Sequence, residues 1–244
     1  MSMISLKKGR YTAFVAQSQS DLVDSQQLRA RAFQLHPAQD ADHFDSRCRH
    51  ILVRDTATGQ LVCSFRMMPL SGATIKHSYS AQYYELSALQ AYQGRMVEMG
   101  RFCIDPNRRD PDVLRIAWGA MTRFVDDEGI DLLFGCSSFT GIEASEYLDA
   151  FAMLKERHIA PKRWLPRVKA PDVFRFAARL GRSPDRRKAL SRMPPLLRTY
   201  LLMGGWVSDH AVVDRQMNTM HVFTGVEVGA IPESRKRLLR SVAA

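Results

Sequence analysis

The order of apolar and polar positions along the 244 residues predicts strands alternating with helices. Tyr11 to Ala16 reads as a first strand. Asp21 then caps a helix in which Leu22, Leu28, Ala32, Phe33 and Leu35 recur at helical spacing as far as Pro37. Beyond a loop rich in Asp and His, the runs His50 to Arg54 and Leu61 to Met67 flank the turn residues Thr58-Gly59 and predict a hairpin. Residues 71–92 carry no regular pattern. Met96 to Ile104 reads as a strand, Pro111 and Asp112 open a helix over Val113 to Val125, and Ile130 to Cys136 reads as a short buried strand. Strand, helix and strand in that order predict a parallel crossover. A helix over about 144–156, a helical run from Pro194 to Met203 and strands at Gly205 to Asp214 and Met220 to Val228 complete the series. The class is therefore α/β, a mixed central sheet flanked by helices, expected as one domain over 1–244.

Composition narrows the function classes. With 45% hydrophobic and 25% charged residues the chain is an ordinary globular protein and not a disordered one. No run approaches the roughly 18 apolar residues of a membrane helix, and residues 1–21 lack the apolar block of a signal peptide. A cytoplasmic protein is expected. The four cysteines are far apart, with no CxxC and no Cys/His pair at zinc-finger spacing, and the seven histidines form no ligand cluster. Neither a metal nor a cofactor is expected.

The net charge of +10 is concentrated in one place. Residues 1–154 hold 16 basic and 18 acidic residues, 155–192 hold 13 and 3, and 193–244 hold 6 and 4. The middle stretch mixes arginines with Trp164, Leu165, Val173, Phe174, Phe176 and Leu180, and is expected to form a basic helical insertion with an amphipathic surface. Nucleic acid, anionic lipid and an acidic carrier protein all match that charge, as does a solvated face with no partner.

Two charges stand out for the opposite reason. Glu98 and Arg101 lie in the apolar strand VEMGRF, where burial of an ionised group is costly unless it is paired or used. Gly100 between them marks a candidate bulge that would turn Arg101 toward the side of Glu98; a salt bridge bracing the sheet is the alternative. Arg29 and Phe33 share a helix face, Asp42 and Asp45 follow in a loop, and Arg66 lies late in the hairpin, but spacing does not connect them to Glu98. The run Gly135-Cys-Ser-Ser-Phe139 lacks the second glycine of a nucleophile elbow, and Cys48 with His50 is a weak thiol signal.

The strand-helix-strand-strand opening, VEMGRFCI and LLFGCSSFTG resemble the GNAT acyltransferases that take acyl groups from acyl carrier protein. Within them the chain is similar to two branches, the ornithine N-acyltransferases that make lyso-ornithine lipid and the acyl-homoserine-lactone synthases. The order SYSAQYYELSAL, VEMGRFCI, LLFGCSSFTG and PPLLRTYLLMGGWVSD is nearer the first branch, and Gly100 stands where the lactone synthases usually carry Ser. The resemblance implies a GNAT-like fold and transfer of a fatty acyl group, with or without a 3-hydroxyl, to the α-amine of an amino acid. Ornithine is implied first, with glutamine as an alternative, and the product is a lyso-aminolipid. A lactone synthase and a basic nucleic-acid-binding protein are the competing readings.

In that picture Glu98 is the base, and Ser137 or Ser138 positions the pantetheine or protonates the leaving thiolate. Arg29, Phe33, Asp42, Asp45, Arg66, Arg101 and Phe102 are similar to residues around the acyl and amino-acid sites, with Arg66 and Arg101 expected on the substrate carboxylate. Backbone N–H groups beside Gly100 and Gly135 to Ser138 are expected to meet the thioester oxygen. The pyrophosphate loop Q/R-x-x-G-x-G/A is absent: DPNRRDPD stands in its place, so acetyl-CoA is a poor donor. Arg108 and Arg109 are then the candidates for a phosphopantetheine phosphate at a helix start. Expected partners are acyl carrier protein, the amino acid and an anionic membrane surface, with no nucleic acid.

Overall fold

A computed structural model describes residues 4–35 and 38–243; Pro37, where the sequence pattern places the end of the first helix, lies outside the described residues. In chain order the elements begin with β1 (Ser5–Lys8), β2 (Tyr11–Val15), α1 (Gln19–Phe33), β3 (Arg49–Asp55), β4 (Leu61–Leu70) and β5 (Tyr84–Glu85). Next come β6 (Met96–Ile104), α2 (Pro111–Asp127), β7 (Leu132–Thr140), α3 (Leu148–Arg157), β8 (Arg167–Val168) and β9 (Val173–Phe174). After them lie α4 (Phe176–Arg179), α5 (Arg186–Arg192), α6 (Pro195–Leu202), β10 (Trp206–Val207), β11 (Ala211–Asp214), β12 (Thr219–Glu227) and α7 (Glu233–Ala243). These pack as two compact units, and β6 supplies residues to both.

The first unit is drawn from Met1–Pro69, Met99–Ile130 and Pro232–Ala244. Its strands β1 to β4 pair antiparallel in sequence order, with β1 a strand the apolar pattern does not announce. Ser18, and not Asp21, caps α1. Its hydroxyl accepts the Asp21 N–H, while the Asp21 carboxylate accepts the Ser18 N–H, so Asp21 is the far half of a capping box. Leu28, Leu52, Leu61 and Cys103 form a small apolar cluster against which Phe14 and Phe33 pack. α2 starts at Pro111 as the sequence predicts, with Asp110, a residue the sequence reading did not single out, as its cap; Tyr11 donates its phenol to the Asp110 carboxylate at 2.8 Å. α7 was not legible in the apolar pattern. It lies on α2 at Gly119, where any Cβ would stand 2.7 Å from the Val242 carbonyl oxygen.

The second unit combines Leu70–Glu98 with Asp131–Ile231. β7 and β12 form its spine, an antiparallel ladder running from Thr219↔Thr140 to Glu227↔Leu132. β11 and then β9 extend it on one side, and β10 also pairs with β12. On the other side Met96, Val97 and Glu98 pair parallel with Leu132, Leu133 and Phe134, the predicted crossover. One face of the spine, carrying Phe139, Met220 and Val222, packs on Phe151, Leu154, Phe176, Ala189 and Leu197.

The basic stretch 155–192 is not the expected helical insertion. After the end of α3 it holds two two-residue strands and helices of four and seven residues. β9 is an edge strand of the main sheet, paired to β11, and β8 pairs with β5. Phe176 is fully buried, and Phe174 and Leu180 pack against the same core, so these apolar residues hold the segment to the domain and do not form an outward face.

Candidate active site

In the first unit the charges that looked isolated in sequence are gathered into one buried network. Arg29 is 0% exposed because the loop after α1 folds its aspartates over it. Its Nε donates to Asp40 at 2.9 Å, and Nη1 and Nη2 donate to the two Asp45 oxygens at 2.9 and 3.0 Å. Both terminal nitrogens of Arg66 engage Asp42, at 2.7 and 2.8 Å, and Nη1 also reaches Asp45 at 2.9 Å. Arg101 donates to Asp40 at 2.9 Å and stands 3.7 Å from Asp42. Three guanidiniums thus face three carboxylates in fork geometry.

Burial alone would raise the carboxyls of Asp45 and Asp42. Arg29, Gln26 and Arg66 outweigh it at Asp45 and hold that group well below the usual carboxylate range; Arg66 does the same, less strongly, at Asp42. His50 donates its Nε2–H to the Asp45 backbone carbonyl at 3.0 Å, and burial together with the two arginines shifts its imidazole down. The cluster is therefore internally balanced. Arg66 is not available as a fork for a substrate carboxylate without displacing Asp42, which corrects the expectation for it. Asp42 and Arg101, 20% and 14% exposed, form the edge that a polar ligand can reach. Arg101, the residue after Gly100, has φ +54°, so the strand backbone is irregular at this point. A left-handed arginine is held at a cost of about 1–3 kcal/mol, offset by its ion pairs.

The second unit holds Glu98, 3% exposed, on the face of β6 that its pairing shares with Phe134. A tight 3-10 turn at Ser80–Gln82 covers it. The first amides of such a turn have no acceptor inside it and point outward together. Here the Tyr79 N–H donates to Oε2 at 2.6 Å, the Ser80 N–H to Oε1 at 2.7 Å, and the Ser80 hydroxyl to Oε1 at 2.5 Å. Ser80 Oγ also stands 3.4 Å from Cys136 Sγ. These donors replace the hydration that burial removes and fix the carboxylate in one orientation.

Strand alternation then sorts the β7 candidates. Cys136 and Ser138 share the face of Phe134, whereas Ser137 points to the opposite face, where its Oγ accepts the Thr224 hydroxyl at 2.9 Å. That removes Ser137 from the surroundings of Glu98. Ser138 is exposed, opposite His221 in the ladder. In the first unit Phe33 lies in the apolar cluster of α1, and Phe102 stacks on Phe65 with ring centroids 5.4 Å apart. Arg108 is 3.3 Å from Asp55 and donates to Gln60 at 2.9 Å, while Arg109 is exposed. The start of α2 is closed by its own Asp110 carboxylate, which accepts the Asp112 N–H, so no anion cradle is assembled there.

Three participants were missed in the sequence: Asp40, Tyr79 and Ser80. Asp40 stood in the same acidic loop as Asp42 and Asp45. Ser80 lies in a run without periodicity, and only the tertiary turn connects it to Glu98.

The acetyltransferase (GNAT) domain family matches residues 10–119. An L-ornithine N(alpha)-acyltransferase of Rhodobacter capsulatus is 30% identical over 203 residues, covering 81% of this chain and 78% of that one. One of Brucella abortus is 30% identical over 233 residues, covering 86% and 81%. The chain belongs to this N-acyltransferase family. FeeM, an N-acyl amino acid synthase from uncultured soil microbes, superposes with a TM-score of 0.53 over 91% of this chain and 94% of its own, at 10% identity, which establishes the shared fold. The acyltransferase has no described helix long and apolar enough to cross a membrane.

Proposed function

We propose that this acyltransferase moves a 3-hydroxy fatty acyl group from acyl carrier protein to the α-amine of ornithine, giving a lyso-aminolipid. The observation that carries the reading is the Glu98 carboxylate, buried in a strand and held by two amides and a hydroxyl. The relatives named for ornithine acylation support the choice of acceptor. The self-capped start of α2, with Arg108 drawn to Asp55, supports a donor other than acetyl-CoA, because a pyrophosphate needs several open N–H donors.

An α-ammonium group is largely protonated at neutral pH, so its proton must first leave to Glu98, directly or through one water. The neutral nitrogen then attacks the thioester carbonyl: the C–N bond forms and the C–S bond breaks. One further amine proton passes to the departing thiolate, leaving an amide and a free carrier thiol. Backbone N–H groups of β7 near Gly135 and Cys136 face the developing oxyanion in this scheme, and Ser138 and Cys136 lie on the same face as Glu98. The test is mass spectrometry of lipids from a host expressing the wild-type chain or Glu98→Gln, supplied with labelled amino acids. A new N-acyl amino acid made by wild type and lost in the variant is the expected result; an equal yield from both removes Glu98 as the base.

A further inference from the structure

The exposed large hydrophobic side chains among the described residues are Leu190, Leu202 and Leu238. Leu190, 47% exposed, stands in α5, whose sequence is RRKALSR. Ala189 is the helix's buried residue, set in the core cluster with Met193, while Arg186, Arg187, Lys188 and Arg192 are all exposed. Consecutive helical residues point about 100° apart, so Arg186, Arg187 and Lys188 fan around the outer surface instead of lining one stripe. Arg186 and Arg187 form no ion pair with a described residue, and Lys188 acts on Asp149 only through space. Arg182 and Arg192, by contrast, have acidic partners in Asp149 and Glu146.

From this placement we infer that α5 docks an anionic lipid bilayer, with its cations on lipid phosphates and Leu190 entering the headgroup layer. A fan of cations has no single line along which a rigid acidic groove could match it, whereas a fluid anionic plane rearranges to meet every one. At about 100° per residue Leu190 falls between Arg186 and Arg187 around the helix; flanked by these two cations it gains by leaving water, and the long Arg stems let their charges stay at phosphate level while it does so. The surrounding stretch, with 13 basic and 3 acidic residues, adds long-range attraction of the same sign. The inference goes beyond the proposed reaction, and vesicle binding is measured without substrate, so failure of one is read separately from failure of the other.

The test is co-sedimentation of the full chain with vesicles of phosphatidylcholine alone or mixed with phosphatidylglycerol, at about 0.1 M salt, where charge screening is moderate. Wild type is expected to bind the mixed vesicles and not the neutral ones. Replacing Arg186, Arg187 and Lys188 together by Gln should weaken binding about 10²-fold, each cation contributing about fivefold. Leu190→Ser should weaken it about tenfold. All of these side chains are exposed, and circular dichroism and thermal unfolding check that the variants keep the fold. Three results overturn the inference: no binding of wild type to mixed vesicles, unchanged binding of the α5 variants, or loss of binding through Arg235→Gln, Arg237→Gln and Leu238→Ser in α7 instead. Capture of a purified acyl carrier protein or a single-stranded oligonucleotide through the same three cations, without vesicle binding, assigns α5 to that partner and overturns it as well.

Discussion

The two units bury charge in opposite ways. In the first, three arginines and three aspartates neutralise one another, and nearly every guanidinium nitrogen named above ends on a carboxylate oxygen of the same unit. In the second, Glu98 is met by dipoles: two amides and a hydroxyl of a tight turn. A closed set of ion pairs favours one backbone arrangement and resists exchange of partners, because removing either charge strands the other away from water. The donors of the turn hold the Glu98 carboxylate in one direction, which is what proton transfer asks of a side chain. Under the proposed reaction, the difference separates a group that secures the fold from one placed to do chemistry.

The sharpest way to break this contrast is Arg29→Leu. Leaving Asp40 and Asp45 buried without their cation should cost about 3–5 kcal/mol of stability in chemical denaturation, while turnover per folded molecule falls by less than tenfold. A stable Arg29→Leu protein with little turnover would move the network into the reaction. Glu98→Gln should do the reverse, lowering turnover about 10²-fold or more at a loss of about 1–3 kcal/mol, since its amide nitrogen must face one of the turn's own N–H donors. Acid titration sharpens the first half. Asp45 and Asp42 are depressed in the folded state, so the stability they contribute is complete above about pH 4 and drains away as pH falls toward their folded values. Asp45→Asn should begin less stable at neutral pH and lose stability less steeply over that acid range. Ser80→Ala, which removes a side-chain donor but keeps both amides, should slow turnover about tenfold with the acceptor KM little changed. Ser137→Ala should have the smallest effect, within about 1 kcal/mol of wild-type stability and near wild-type turnover, because Ser137 and Thr224 bond on the other face of the sheet.

What was legible in the sequence follows from what local pattern encodes. β6 spans Met96–Ile104 as the apolar run implies, and α2 begins at Pro111 because Pro111 is a local signal for a helix start. The charges in VEMGRF were conspicuous because an apolar strand made them costly, and that reasoning led to Glu98 and Arg101. It did not reach their partners. Asp40 and Ser80 are brought in by a loop and a turn whose closure depends on tertiary contacts, and neither has a periodicity to betray it. α7 escaped notice because none of its side chains is buried and its sequence, ESRKRLLRSVA, is mostly polar and charged, while its approach to α2 relies on the missing side chain of Gly119. The basic stretch misled for a related reason: the apolar residues mixed among its arginines serve very short strands and a buried core, and the outward apolar residue, Leu190, stood unremarked among cations.

The arginine and aspartate cluster also has an order built into the chain. Arg29 is 11 residues from Asp40 and 16 from Asp45, Arg66 is 24 from Asp42, and Arg101 is 61 from Asp40. Loop-closure entropy rises with the logarithm of separation, so bringing Arg101 to Asp40 costs about 1.5 kcal/mol more than bringing Arg29 there if the chain is otherwise free. Arg29 and the loop that follows it can therefore meet as a local event, with the hairpin arginine next. Arg101 arrives at an acidic site already shaped for it, so the strand that carries it locks the cluster last, and its left-handed backbone is set at the moment the cluster closes.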